Sequence, residues 1–516
     1  MAIRMSGLAS GMDTESIIAE LMSAQRLKST KIENKITKLE WKQDIWKDMN
    51  KKIYSFYTGP LSKLKMQGSF NTKKVSSSNE AKATVTANSS APGGTHALKI
   101  NQLASSQFVT GSQLSTDDNG LAISTATKLV DLGMTADASN TVTVKVGTTE
   151  KSITITDATT VADFTSTLKS AGLTASYDTT QKRFFISSAE SGLTNGFSIT
   201  EGGTADIAGL GLSAIQDDGN GNMSLVSDGV DINGDPTYKS TMVKAADSKI
   251  TYNGAELTSS SNTIIANGLT IDLKGVTDTN ETISLNITDD TQAVYDMVKD
   301  FVKQYNDILT KMNDTYYADT AKGYDPLTDD EKTTMSDTEI ETWETKIKDS
   351  LLRRDDSLGT LLSDMKSKVG GSTNVSGTNY SLASFGIGST NYTEKGILHI
   401  NGDVDEDAAS SKDNALLTAL TTNPEAVMKT LNDIGNNLYA SITKTMTSSS
   451  LRSALKVYND KEITKTITNY KDDLNEEEDR LTKIEDRYYS QFSAMETALA
   501  KINSQSSSLA SMLGTG

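Results

Sequence analysis

The stretch Lys461–Ala510, KEITKTITNYKDDLNEEEDRLTKIEDRYYSQFSAMETALAKINSQSSSLA, sets the architecture of this chain. Ile467, Leu474, Leu481, Tyr488, Met495, Ile502 and Leu509 recur at every seventh position. An apolar row with that period is a coiled-coil seam. A second row opens with Ile463 and Tyr470 and returns at Ile484. It carries Glu477, Gln491 and Gln505 between and beyond them, while Phe492 and Leu499 sit one place over. The second row is therefore a weakened seam. Read as one helix, Ile463 to Leu509 spans roughly 70 Å at about 1.5 Å per residue. A helix of that length needs a partner, and the other end of the chain offers one.

Between Thr14 and Leu64 the pattern is again helical. Asp13 is placed as an N-cap, with Glu15 and Glu20 near the positive end of the helix dipole. Ile17, Ile18, Leu21 and Met22 share one face. A further stripe follows in Ile32, Ile36, Leu39, Trp46, Met49, Ile53 and Phe56, and Gly59-Pro60 punctuates the helix. Acidic residues interrupt any apolar run in this opening, so it does not read as a secretory signal.

The middle of the chain has a different chemistry. From Phe70 to Ile287 it is rich in Ser, Thr, Asn and Gly, with short alternating runs such as ATVTA, ALKINQL, TVTVKVG and KSITIT. ITYNGAEL and IIANGLTIDL each place Asn-Gly between β-prone runs, the requirement of a two-residue type I′ hairpin. Helical seams return with Val294, Val298, Phe301, Tyr305, Ile308 and Met312, then Ile347, Leu351, Leu358, Leu361 and Met365. Thr328-x-x-Glu331 and Ser336-x-x-Glu339 are capping boxes, and Asn423-Pro424 starts a helix bearing Val427, Leu431, Ile434, Leu438 and Ile442.

These patterns predict an α+β multidomain chain. Terminal helices form a coiled-coil or helical-bundle leg, and β-rich head domains are nested within it. The expected parts are an N-terminal coiled-coil tail (1–45) and a helical leg domain (46–70 with 291–465, including a small β excursion at about 370–402). Next come a split β domain (71–104 with 246–290), an inserted β-rich head domain (105–245) and a C-terminal coiled-coil tail (466–516).

Composition narrows the function. The 516 residues carry a formal net charge of −17, which argues against a phosphate backbone as partner. No run of about 18 apolar residues is available to span a membrane. The absence of cysteine removes disulfides and thiolate chemistry. The two histidines, His96 and His399, lack zinc-ligand spacing. The acidic stretch DGVDINGD, Asp228–Asp235, does not keep EF-hand spacing and reads as a turn-forming loop. No phosphate loop, dinucleotide fingerprint or serine elbow occurs. The expectation is a non-enzyme without catalytic, metal or cofactor residues.

Several segments, in chain order, resemble one family. GLASGMDTESIIAELM (Gly7–Met22) is similar to the opening of the flagellar hook-associated protein 2 family, the filament-capping proteins. FNTKKVSSSNEAKATVTANSSAPGGTHALKINQLA (Phe70–Ala104) resembles its first β segment. VADFTSTLKSAGLTASYDTTQKRFFISS (Val161–Ser188) is similar to a short repeat of flagellins and hook proteins. ITYNGAELTSSSNTIIANGLTIDLKGV and VKDFVKQYNDIL resemble the return into the helical region. LASFGIGSTNYTEKGILHINGD and ALTTNPEAVMKTL resemble the C-terminal part. The segment Gly323–Met365 is similar to versions from Gram-positive bacteria. The family often has a Pro just beyond its first helix, where this chain reads QRLKSTK (Gln25–Lys31), so here the helix can run on.

The resemblance implies an extracellular protein at the flagellum tip, exported by the flagellar type III route without a cleaved signal. It implies a homo-oligomeric ring, a pentamer or stacked rings, that retains flagellin and promotes its folding and polymerisation. Implied partners are flagellin, further copies of the chain, the hook-filament junction protein and an export chaperone. On this reading Ile17, Ile18, Leu21, Met22 and the row Ile467, Leu474, Leu481, Tyr488, Met495, Ile502 and Leu509 form the interface to flagellin or to neighbouring subunits. Two alternatives are a flagellin-like junction or filament subunit, and an adhesin whose exposed 105–245 segment binds host mucin.

Overall fold

The computed structural model describes residues 11–404 and 412–514; the opening residues as far as Ser10 lie outside it. The chain divides into two compact units, Met1–Phe70 with Thr291–Gly516, and Asn71–Asp290. The first begins with α1 (Thr14–Thr58) and α2 (Pro60–Leu64). Asp13 caps α1 by accepting from the Ser16 backbone N–H, and Gly59-Pro60 ends it. No break follows Gln25: α1 is continuous for 45 residues.

The second unit is a set of antiparallel sheets. Its strands begin with β1 (Lys73–Ser77), β2 (Ala83–Ala87), β3 (Gly94–Gln102), β4 (Phe108–Gly111), β5 (Thr141–Val146) and β6 (Thr149–Thr154). After α3 (Val161–Ser170) come β7 (Leu173–Asp178), β8 (Arg183–Ser188), β9 (Phe197–Gly202), β10 (Ile215–Asp217) and β11 (Met223–Leu225). The series ends with β12 (Gly229–Val230), β13 (Pro236–Thr237), β14 (Ser240–Val243), β15 (Ser248–Tyr252), β16 (Ala255–Ser259), β17 (Thr263–Ala266), β18 (Leu269–Leu273) and β19 (Ile283–Asp289).

Chain order is broken in the sheets. One runs β1-β19-β3-β15-β16 and another β17-β18-β2, so early strands pair with late ones. Leu98, Ile100, Ile250, Leu269, Ile271, Ile283 and Leu285 fill the core beneath them. The sheets β11-β10-β9-β5-β6 and β14-β4-β8-β7 belong to the residues in between. With α3 they enclose a separate core of Val142, Val144, Phe164, Phe184, Phe197 and Ile199 among others.

Both Asn-Gly hairpins form as the sequence predicts. Asn253 (φ 49°) and Gly254 (φ 85°) join β15 to β16; Asn267 (φ 49°) and Gly268 (φ 78°) join β17 to β18. Asn253 also ties two distant segments together. Its Oδ1 accepts from Ala97 N–H at 2.9 Å, and its Nδ2 lies 2.9 Å from Nδ1 of His96. Tyr252 Oη makes a second 2.9 Å contact to the same ring nitrogen. His96 is thus a strand residue engaged by its neighbours.

The first unit resumes with α4 (Thr291–Tyr316), α5 (Asp329–Thr333), α6 (Asp337–Ser350) and α7 (Asp356–Val369). Two small hairpins follow, β20 (Ser372–Val375) with β21 (Thr378–Ser381) and β22 (Ile387–Gly388) with β23 (His399–Ile400). Then come α8 (Ala415–Thr422), α9 (Pro424–Thr445) and α10 (Asp460–Leu513). Both capping boxes are present, at Thr328/Glu331 and Ser336/Glu339. Asn423 caps α9 ahead of Pro424.

One expected seam is corrected. Residues 347–365 are not one helical row, because α6 ends at Ser350 and Arg354 adopts φ 55° before α7. The turn shifts the phase, so Leu352 is fully buried while Leu351 is only half-buried.

Gly435 on α9 shows how tightly this bundle closes. A Cβ there would meet the backbone N of Lys65 at 3.1 Å and the carbonyl carbon of Leu64 at 3.2 Å. On an exposed helix face, replacing Gly gains up to about 1 kcal/mol from propensity. Here overpacking against backbone reverses the sign. Gly435→Val is expected to destabilise the chain by about 1–3 kcal/mol in urea denaturation.

Candidate functional site: the terminal helix pair

Helices α1 and α10 lie antiparallel, as their rungs show: partner numbers rise on one helix as they fall on the other. At the root, Trp46 stacks on Tyr458 with centroids 5.3 Å apart and planes 6° from parallel. Asn50 clamps the segment leading into α10, with Oδ1 accepting from Val457 N–H at 2.9 Å and Nδ2 donating to Leu455 O at 3.2 Å. Further along, Gln43 donates to Thr464 (3.2 Å), Glu40 pairs with Lys471 (2.8 Å), and the Lys35 ammonium lies 5.2 Å from the Tyr470 ring centroid.

A buried carboxylate follows. Glu477, only 3% exposed, accepts from Lys28 Nζ at 2.8 Å and from the guanidinium of Arg480, whose Nε is 3.0 Å away. Arg480 first, then Lys28, holds this carboxyl at a pKa of about 2. Beyond it the pair becomes apolar again. Ile18, Met22 and Leu481 are buried together, with Ile484, Tyr488, Tyr489 and Phe492 against them.

The residues expected at an interface with other chains are therefore divided. Within this chain Ile18, Met22, Leu481 and Ile467 are already buried. Ile17, Leu474, Tyr488 and Met495 are half-buried. Leu21 is exposed, as are Ile502 (57%) and Leu509 (60%) near the end of α10. Of the second-row polar residues, only Glu477 enters the seam; Gln491 and Gln505 face solvent.

The sequence reading missed the partners of Glu477. Arg480 could have been found, since it stands one helical turn on from Glu477. Lys28 could not, because its pairing depends on the register between segments hundreds of residues apart. A second omission is the strap from 317 to 355. Lys38 reaches Asp325 (2.6 Å), Trp343 Nε1 donates to Asp325 O (2.9 Å), Lys42 pairs with Asp355 (2.8 Å), and Lys348 lies over Trp41 (4.6 Å). These polar contacts hold the bundle side of α1.

Elsewhere the acidic loop uses its charges internally. Asp231 accepts from the backbone N–H groups of Asn233 (2.8 Å) and Asp235 (2.9 Å), and Asp228 accepts from Lys239 N–H (2.7 Å). Among the described residues no group of three His, Asp or Glu is placed to hold a metal ion, and no helix is long and apolar enough to cross a membrane.

Two family models match the chain. The flagellar hook-associated protein 2 C-terminus covers residues 245–504, and the corresponding N-terminus covers 10–107. The chain belongs to the flagellar hook-associated protein 2 family. It is 27% identical to the flagellar hook-associated protein 2 of Halalkalibacterium halodurans, over 98% of this chain and 99% of that one. It is 25% identical to the Escherichia coli K12 protein of the same name, over 98% and 96%. In fold it is similar to the D1-D2-D3 domains of the flagellar cap protein FliD from Escherichia coli (TM-score 0.51, 18% identity). That match covers 82% of this chain and 99% of the other.

The charge trio Lys28–Glu477–Arg480 gives a pH prediction. A carboxyl whose folded pKa is depressed from 4.5 to about 2 stabilises the fold at all pH above its unfolded value. That contribution is lost as pH falls from about 4.5 toward 2. Glu477→Gln should flatten the acid limb of the stability curve in that window and leave its slope near neutrality unchanged, as read by tyrosine near-UV circular dichroism.

Proposed function

We propose that this chain is the capping subunit of a bacterial flagellar filament. It assembles with further copies of itself at the filament tip and retains exported flagellin while that protein folds and joins the lattice. The single observation that carries the reading is the family match across both terminal portions, on a chain whose ends form one helical pair. The five-part domain division belongs to the same reading; separate hydrophobic cores at 83–100 with 250–287 and at 109–215 support its two β-rich parts.

The interface is proposed to lie on the exposed remainder of the terminal pair. Leu21, Ile502 and Leu509 present apolar surface, and at roughly 25 cal/mol/Å² such side chains favour burial against another helix. Glu477 keeps the pair separable. It interrupts the seam with a charge whose partner Lys28 is itself largely exposed, so opening returns both to water at modest cost. A pair that can open and re-form suits a subunit that must release one contact before making the next. Export by the type III route and the pentameric or stacked-ring state follow from the family likeness and rest on it alone. The adhesive alternative finds no favouring feature, since the acidic loop spends its carboxylates on its own backbone.

Removing the chain from its cell should leave filaments short or absent and release monomeric flagellin into the medium. Filaments of normal length in that strain would overturn the proposal. In the intact protein, Glu477→Leu should raise the stability of the terminal pair and slow filament elongation. The second effect is measured by pulse-labelling filament tips.

A further inference from the structure

A cleft of about 260 Å³ opens into the edge of the large core of the first unit. Tyr305 on α4, Lys366 and Val369 on α7, Leu382 just after β21, Ile387 on β22 and Leu398 ahead of β23 line it. The four aliphatic residues give it apolar walls, each buried in the core behind them. Two polar side chains stand among these walls, and the protein leaves both incompletely paired.

The first is Tyr305. It is 1% exposed, with its ring stacked on Phe301 at 6.2 Å between centroids. Among the described residues its hydroxyl finds no hydrogen-bond partner. A buried hydroxyl is ordinarily paired, because an unmade bond there is costly. The unpartnered Oη of Tyr177 is sealed inside its core, whereas Tyr305 lines an open cleft.

The second is Lys366. Its Nζ donates to Oδ1 of Asn313 at 3.1 Å, and the buried Asn313 turns its Nδ2 to Lys395 O at 3.4 Å. Among the described residues no carboxylate forms an ion pair with Lys366. The charge that acts on it is another cation, Lys395, whose ammonium lies 4.1 Å from the Tyr317 ring centroid. Burial, and then Lys395, pulls the Lys366 ammonium below the usual lysine range. On a chain of net charge −17, positive charge is left uncompensated at this cleft.

We infer that the cleft binds a small carboxylic acid with an apolar body, taken up as its carboxylate. Lys366 supplies a charge-assisted hydrogen bond, Tyr305 a hydroxyl donor, and the aliphatic walls cover the hydrocarbon. Small-molecule sites have this composition, mostly apolar with a few placed donors, and one below roughly 300 Å³ suits a ligand of few atoms. A phosphate dianion is a poor fit. One lysine among aliphatic walls does not replace its hydration, and the site has no guanidinium fork to grip it. The inference is independent of the cap reading.

The probe is 3-methylbutanoate, titrated into the full-length chain by calorimetry beside 3-methylbutanamide, acetate and inorganic phosphate. The acid should bind saturably in the millimolar range, and the amide, which lacks the charge, and acetate, which lacks the body, should each bind more weakly. Lys366→Met keeps the stem that packs over Gly396 and should weaken acid binding by about tenfold or more. Tyr305→Phe removes only the free hydroxyl, so it should keep the melting temperature and weaken binding by about threefold. Lys368→Met, at an exposed position of the same helix, should bind like wild type. If Lys366→Met fails to fold, Tyr305→Phe and the comparison of acid with amide carry the test. An amide that binds as well as the acid, acid binding unchanged in Tyr305→Phe and Lys366→Met alike, or no saturable binding would each overturn the site. Phosphate bound as tightly as the acid would reveal a general anion site and overturn the assignment of an apolar acid.

Discussion

Two helices of 45 and 54 residues cannot stand alone in water, and their mutual burial is the constraint on which the rest of this structure depends. At about 1.5 Å per residue they are roughly 68 and 81 Å long, far beyond what one globular core can cover. They solve the problem by pairing with each other. Because one lies near the start of the chain and the other near its end, everything between is obliged to leave that unit and return to it. The β unit is accordingly an insertion, and Phe70 and Thr291 mark where the chain crosses.

The pair is not uniform along its length. At the root it merges with a large core, where Trp46, Met49, Ile53 and Phe56 meet Phe301, Tyr305, Leu431 and Tyr458. There a stacked ring pair, the Asn50 clamp and the polar strap on Lys38, Trp41 and Lys42 act together. Past Glu40 the contacts become single ion pairs and ring contacts, and surface ion pairs contribute only about 0–1 kcal/mol each. The small cluster of Ile18, Met22 and Leu481 restores some burial further on. Opening of the pair should thus begin away from the root, while the root keeps the two helices in register.

Much of this was legible because it is written in local periodicity. The seven-residue row fixed the phase of α10, and Asp13 and Gly59-Pro60 bounded α1. The Asn-Gly pairs specified both hairpins, since a two-residue type I′ loop needs positive φ at both positions, which Asn and Gly adopt readily. What escaped is what depends on distant register. The pairing of Lys28 with Glu477 needs two helices to be aligned residue by residue, which a repeat cannot supply. The order β1-β19-β3-β15 needs strands from both ends of the unit to be interleaved, and no single strand encodes its neighbour. The misplaced Leu351 had a different cause: α6 stops at Ser350, so Leu351 already stands in the turn to α7, which closes at Arg354 with a positive φ that Arg does not advertise.

The β unit shows the same logic of selective exposure. Charges sit on the free strands β1, β6 and β16, where an accidental partner would be harmful, whereas the edge strands β11 and β14 carry none. A chain that must remain soluble while concentrated at one place gains from repulsion everywhere except at its intended joint. A net charge of −17 supplies the repulsion, while the exposed row of Phe108, Val243 and Ser187 carries no charge. Specific assembly then requires no strong adhesive patch. It requires only that every other approach be worse, which is how a weak contact becomes selective.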